Sequence, residues 1–304
     1  MSAVTLRRPR AGLAVIAAMA TVYIVWGSTY LAIRVMVETI PPVLAGALRF
    51  LVAGALLVAI LAALGRWAMP SRRELAGASI FGCWILIGGV GGVTLAETRI
   101  PSNVAAVIAS MAALWVIVFR VLARERVGRA VLGGALVGFA GVALLLLPAA
   151  DATGASLTWL VGSLAFPIFW SSGSFYGPKV LALPSDPFVA SAVEMVAAGA
   201  VQLVIAVAIG DLGETHASSI SWRSAAAIAY LMLASIVAFS AYVWLLDRMP
   251  ISTVFTHQFV NPAVAVLLGW LVLSETLTPL MLGAMAIIIG AVALIVRAAP
   301  ASEA

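Results

Sequence analysis

Two charged side chains stand deep inside apolar stretches, Arg49 and Glu194. Each comes seven residues after a proline suited to the first helical position, Pro42 and Pro187, and so ~10 Å along its helix at 1.5 Å per residue. A charge at the centre of a bilayer costs about 3 kcal/mol on insertion scales, so such residues are rare and mark solute or proton pathways. Arg49 is a candidate to attract a carboxylate. Glu194 is a candidate to attract an ammonium group or to carry a coupling proton. An amino acid zwitterion needs both signs. If the two helices run in opposite directions through a ~30 Å core, the two Cα atoms differ by ~10 Å in depth, so a direct ion pair is not implied. Anchoring to backbone carbonyls or snorkelling to the interface is the structural alternative for both.

A second group lies in RMPISTVFTHQFVNP, residues 248–262. Thr253, His257 and Asn261 are four apart and share one helix face, with Gln258 beside them. A polar stripe of this kind predicts an internal cavity. Histidine changes charge near neutral pH and suits a proton relay; hydrogen bonding between helices is the alternative. Trp26, Tyr30, Trp170 and Tyr176 are candidate walls for a flat or apolar solute. Trp and Tyr also mark membrane interfaces, which suits Trp67, Trp159 and Trp222 best. Trp26 and Trp170 are each followed by Gly, Ser or Thr residues that permit close packing or a local opening of the helix.

Other chemistries lack their parts. Cys83 is the single cysteine, so an internal disulfide or cysteine cluster is excluded. One intramembrane histidine does not make a zinc site. There is no H-E-x-x-H, and Glu194 is the one carboxylate expected inside a span, which leaves no paired acids for an enzyme. The glycine pairs Gly88-Gly89, Gly91-Gly92 and Gly133-Gly134 have no Lys-Ser/Thr beside them, so they are not phosphate loops. No cofactor or metal is expected.

The elements that must position these residues are membrane helices. Of 304 residues 64% are hydrophobic and 10% charged, which describes an all-α polytopic membrane protein. Ten apolar segments are expected, at roughly 12–33, 42–63, 74–94, 101–120, 129–147, 156–176, 187–209, 223–246, 251–272 and 278–297. Most are bounded by prolines or charged turns, among them Pro101, Pro148 and the helix start Thr278-Pro279. The first follows Arg7, Arg8 and Arg10 and is too long for a signal peptide, so it is expected to be retained. Of the 17 Lys and Arg, 13 fall on the side that holds the N-terminus, which predicts cytoplasmic termini. The net charge of +5 belongs to that bias rather than to nucleic acid.

The chain also repeats itself. Arg99 and Pro101 line up with Arg248 and Pro250 at a shift of 149, and Glu125 and Gly133 with Glu275 and Gly283 after one inserted residue. Trp26 aligns with Trp170 and Arg49 with Glu194. Two copies are expected, 1–150 and 151–304. Five helices is an odd number, so the second copy enters the membrane inverted, an arrangement suited to alternating access.

The pieces NPAVAVLLGWLVLSETLTPLMLGAMAIIIGAVALI (Asn261–Ile295), GSTYLAIRVMVETIPPVLAGALRFLVAGALL (Gly27–Leu57) and GRAVLGGALVGFAGVALLL (Gly128–Leu146) resemble the EamA-type branch of the drug/metabolite transporter superfamily. The first copy departs at Ala112-Ala113, where a proline like Pro262 is usual. The resemblance covers nearly the whole chain and is nearest to exporters of amino acids, aromatic ones included. It implies ten helices in two inverted five-helix repeats in a bacterial-type inner membrane and export of a small solute from cytoplasm to periplasm. The expected partners are therefore a small metabolite, the lipid bilayer and a coupling proton. Export of drugs or toxic cations, or a passive channel or scramblase, are the alternatives. Phosphate esters would want more buried cations than Arg49.

Overall fold

The computed structural model describes residues 11–100, 102–146, 157–273 and 278–298. The expectations at Arg7, Arg8, Arg10, Pro101, Pro148 and Glu275 lie outside them. The described residues are helices joined by short turns, with no strand among them. Eight helices are long and apolar enough to cross a membrane: Gly12–Met36, Pro42–Ala63, Arg72–Ala96, Ala105–Leu122, Pro187–Ala208, Trp222–Leu246, Ile251–Leu268 and Pro279–Ala298. A shorter apolar helix covers Arg129–Leu146. The expected sixth span is carried by Leu157–Ser163 and Ala165–Val180, which Leu164 separates.

Helix starts follow local chemistry. Pro42 and Pro187 occupy first-turn positions, where the missing N–H is no loss, and the Asp186 side chain accepts from Phe188 N at 2.9 Å. Ser71 and Glu74 cap the Arg72 helix reciprocally. Thr278 Oγ1 accepts from Met281 N at 3.3 Å, as the Thr-Pro start predicts.

The helices share two ends. At one, Arg34 donates to the Glu97 carbonyl, Arg99 stacks over Trp159, and Ser224 Oγ donates to Val35 O at 2.7 Å. At the other, Arg66 pairs with Asp186 at 2.8 Å, and Arg120 and Lys179 both pair with Glu125. The second end carries the Lys and Arg bias and is called the basic end below.

Packing links the two halves of the chain reciprocally. Pro42–Ala63 packs on Pro187–Ala208, and Arg129–Leu146 on Pro279–Ala298. Ala11–Met36 packs on Trp222–Ala234 and His257–Leu273, while Ala165–Val180 packs on Cys83–Gly91 and Ala112–Leu122. The first pair is antiparallel and very close. A Cβ built on Gly54 would sit 2.8 Å from Val196 N, and one on Gly199 would sit 2.5 Å from Leu51 N, so only glycine fits at either place.

Two spans contain π turns, Cys83–Gly91 within Arg72–Ala96 and Ser235–Phe239 within Trp222–Leu246. The two stand in equivalent helices of the two halves. The ninth expected span, read as continuous from 251, is interrupted: Ile251–Val254 gives way at Phe255 and Thr256 to His257–Leu273. Hydrogen bonds there tighten to three-residue spacing, Gln258 N to Phe255 O at 3.1 Å and Phe259 N to Thr256 O at 3.0 Å. Tyr23 holds the break in place through Thr256, at 2.6 Å between hydroxyl oxygens.

Candidate functional site

The helices converge on a cavity of about 80 Å³ in the half of the bundle away from the basic end. Seven of the nine candidate residues line it: Trp26, Tyr30, Arg49, Trp170, His257, Gln258 and Asn261. Arg49 is the one charged group among the described lining residues. Its side chain is 4% exposed. Nε donates to Ser235 Oγ at 2.7 Å, and that hydroxyl donates to Leu231 O at 2.7 Å. Arg49 Nη1 is buried without a hydrogen-bond acceptor among the described residues. Ser235 opens a π turn, so the distorted helix presents the group that holds the guanidinium. Gly89, in the other π turn, lets the Trp170 ring approach, since a Cβ there would sit 2.9 Å from Trp170 Cε3.

His257 is fully buried. Its Nδ1 lies 2.7 Å from Val254 O, a carbonyl freed by the helix break, and Nε2 has no partner among the described residues. Oriented to suit its neighbours, the Asn261 amide donates to His257 O at 2.9 Å and to Tyr23 O at 3.3 Å. Trp26 belongs to an aromatic cluster that has Tyr242 at its centre. The Trp26 ring centroid is 5.3 Å from Trp170, 5.0 Å from Tyr242 and 5.0 Å from His257. These rings offer flat apolar faces and a π surface attractive to an ammonium group.

Glu194 and Tyr176 do not line this cavity. Glu194 is fully buried, its backbone pressed against Gly82, and neither carboxylate oxygen has a partner among the described residues. No ion pair joins it to Arg49; the antiparallel register sets Arg49 near Gly199, one turn and more beyond Glu194. Tyr176 packs on Phe119, ring centroids 5.6 Å apart, toward the basic end. Glu97 was not anticipated: from sequence it falls in a loop, yet it is fully buried, so Glu194 is not the sole buried carboxylate. Its only advance sign was its place just after the apolar run ending at Ala96.

A second cavity, about 500 Å³, opens among the turns of the basic end. Arg120, Arg126, Lys179 and Glu125 line it, with Phe175, Leu246, Met249 and Ile251 as apolar wall. Partial burial works against the Glu125 charge, but hydrogen bonds and charge from Lys179 and Arg120 outweigh it and hold this carboxyl below its usual range. Ser174 also lines this cavity, and its hydroxyl lies 2.6 Å from that of Tyr242. The Tyr242 ring in turn packs tilted against Trp26 and Trp170 and edge-on to His257, so Tyr242 links Ser174 on this cavity to rings that line the other.

The EamA-like transporter family matches this chain twice over, at residues 13–147 and 157–297. The chain belongs to the EamA-like transporter family. That family sits within the drug/metabolite transporter superfamily, and this EamA-like chain is a membrane transporter. It is 36% identical over 283 residues to YedA of Escherichia coli K12, described as an uncharacterized inner membrane transporter; the match covers 91% of this chain and 89% of YedA. YedA of Escherichia coli O157:H7 matches equally well. A solved structure, described only as the crystal structure of a protein, superposes with a TM-score of 0.76 over 95% of this chain and 99% of its own, at 21% identity. That likeness shows a shared fold.

Proposed function

We propose that this chain is a secondary carrier that exports a small carboxylate-bearing solute, an amino acid or close metabolite, by alternating access across an inner membrane. The observation that carries this reading is Arg49: a buried guanidinium on the lining of an aromatic-walled cavity, with one nitrogen that has no acceptor among the described residues. A guanidinium with spare donors matches a carboxylate, and the charge-assisted bond is strong in a dry site. No carboxylate is among the described lining residues, which argues against toxic cations. In this arrangement Glu194 has no access to the solute, so of its two candidate roles the coupling proton is retained. The solute's ammonium group is assigned to the faces of Trp26 and Trp170 and to the amides of Gln258 and Asn261.

The architecture proposed is ten spans in two inverted five-helix copies, 1–150 and 151–304. Three observations support it: the double family match, the antiparallel pairing of Pro42–Ala63 with Pro187–Ala208, and the reciprocal packing of each half's first helix on the third and fourth of the other. Tyr242, which links the linings of the two cavities, supports a gated carrier over a channel.

The test is uptake of labelled aromatic and aliphatic amino acids into liposomes holding the purified protein, with and without a pH gradient. Saturable, competed uptake of one class is expected, and the gradient response separates proton coupling from uniport. Folded protein that takes up no carboxylate would overturn the proposal.

A further inference from the structure

The cavity at the basic end has a chemistry of its own. Among the described residues three cations and one carboxylate line it, so it carries positive charge. Two of the cations already grip a carboxylate: Glu125 is held by Arg120 at 3.0 Å and by Lys179. The third, Arg126, is exposed and has no partner among the described residues. Opposite these charges runs the apolar wall from Leu246 to Ile251, with Phe175 lying under the Lys179 ammonium at 3.5 Å. A positive bias at the membrane surface accounts for basic turns. It does not account for a 500 Å³ recess with an apolar wall that reaches Ser174, whose hydroxyl meets that of Tyr242.

We infer that this recess is a loading site for an anionic solute with an apolar body, specifically an organic carboxylate, which waits there before Tyr242 and Ser174 part to admit it to Arg49. The inference rests on the carboxylate reading of the central cavity. A phosphate ester would satisfy the same cations at the basic end, but it would then meet a cavity whose described lining holds one cation. Organic cations are repelled at the entrance before they reach the aromatic cluster.

The chain's single cysteine makes a direct test available. In a Cys83→Ala background, Met249→Cys places one thiol on the recess wall. Membrane-impermeant thiosulfonates of opposite charge, one sulfonate and one trimethylammonium, are applied to purified protein in liposomes of known sidedness. The anionic reagent is expected to react about 5-fold faster relative to the cationic one than it does with free cysteine, from the basic face only. Phenylacetate is expected to slow labelling and phenylethylamine not. Arg126→Gln, which breaks no bond among the described residues, is expected to cut the charge preference at least 2-fold while leaving monodispersity unchanged. A free-cysteine reactivity ratio, unchanged preference in Arg126→Gln, or equal protection by the amine would overturn the loading site. If those results came with saturable carboxylate uptake, the carrier reading would stand and the recess would be a basic surface only. If carboxylate uptake were absent as well, both would fall.

Discussion

Arg49 and Glu194 stand at matching places in the two halves, on helices that pack directly against each other, yet only one reaches the cavity. Arg49 lines the cavity, has Ser235 to hold it, and keeps an Nη1 without an acceptor among the described residues. Glu194 has Gly82 against its backbone and, among the described residues, no partner for either oxygen. Sequence symmetry therefore does not carry over into equivalent chemistry. The third helices diverge in the same way. Each contains a π turn, but the first supplies glycine that admits Trp170, and the second supplies a serine that holds the guanidinium. The family match covers both halves, while the residues that line the central cavity differ in chemistry between them.

This contrast can be broken experimentally. The largest effect is expected at Arg49. Arg49→Gln should lower uptake about 100-fold with normal expression, because truncating one member of a buried charged contact costs about 2–5 kcal/mol. Uptake within 2- to 3-fold of wild type would remove the guanidinium from solute binding. Ser235→Ala should come next, about 10-fold, since a hydrogen bond to a charged group contributes about 1.5–3 kcal/mol. Its signature is a raised half-saturating concentration in uptake assays, with Arg49→Gln/Ser235→Ala no worse than Arg49→Gln alone. Glu194→Gln should change solute binding less than 2-fold but abolish the response of uptake to a pH gradient. Loss of binding would instead place Glu194 in contact with the solute.

The smallest effect concerns the ion pairs at the basic end. The Glu125 carboxyl titrates below its ordinary value of 4.5, so the stabilisation it provides is complete above that pH. It is lost as pH falls through the lowered value. Glu125→Gln should therefore flatten the acid limb of the thermal-stability profile and leave the neutral plateau nearly level, since the pair is partly exposed.

Much of the frame was legible because hydropathy and helix starts are local. Pro42, Pro187 and Thr278 mark real helix starts. The stripe of Thr253, His257 and Asn261 lies buried, with His257 and Asn261 on the cavity. Depth along a helix was also legible, which is why no direct Arg49–Glu194 pair was implied. Rotation about the helix axis was not. Glu194 and Tyr176 sit within their expected segments but neither lines the cavity, and Tyr176 packs on Phe119 instead. The π turns and the break at Phe255 and Thr256 were hidden as well, since glycine and serine pairs read equally as close packing. Glu97 escaped because a charge just past an apolar run looks like a solvated turn.

The most direct test of the central claim is one competition series on reconstituted protein. Labelled phenylalanine uptake would be challenged with phenylacetate and with phenylethylamine, in wild type and in Arg49→Lys. The account predicts that the carboxylate competes far better than the amine in wild type. It also predicts that Arg49→Lys, a point charge without the planar fork, keeps this order at weaker affinity. Better competition by the amine, or the same affinities in both proteins, would contradict it.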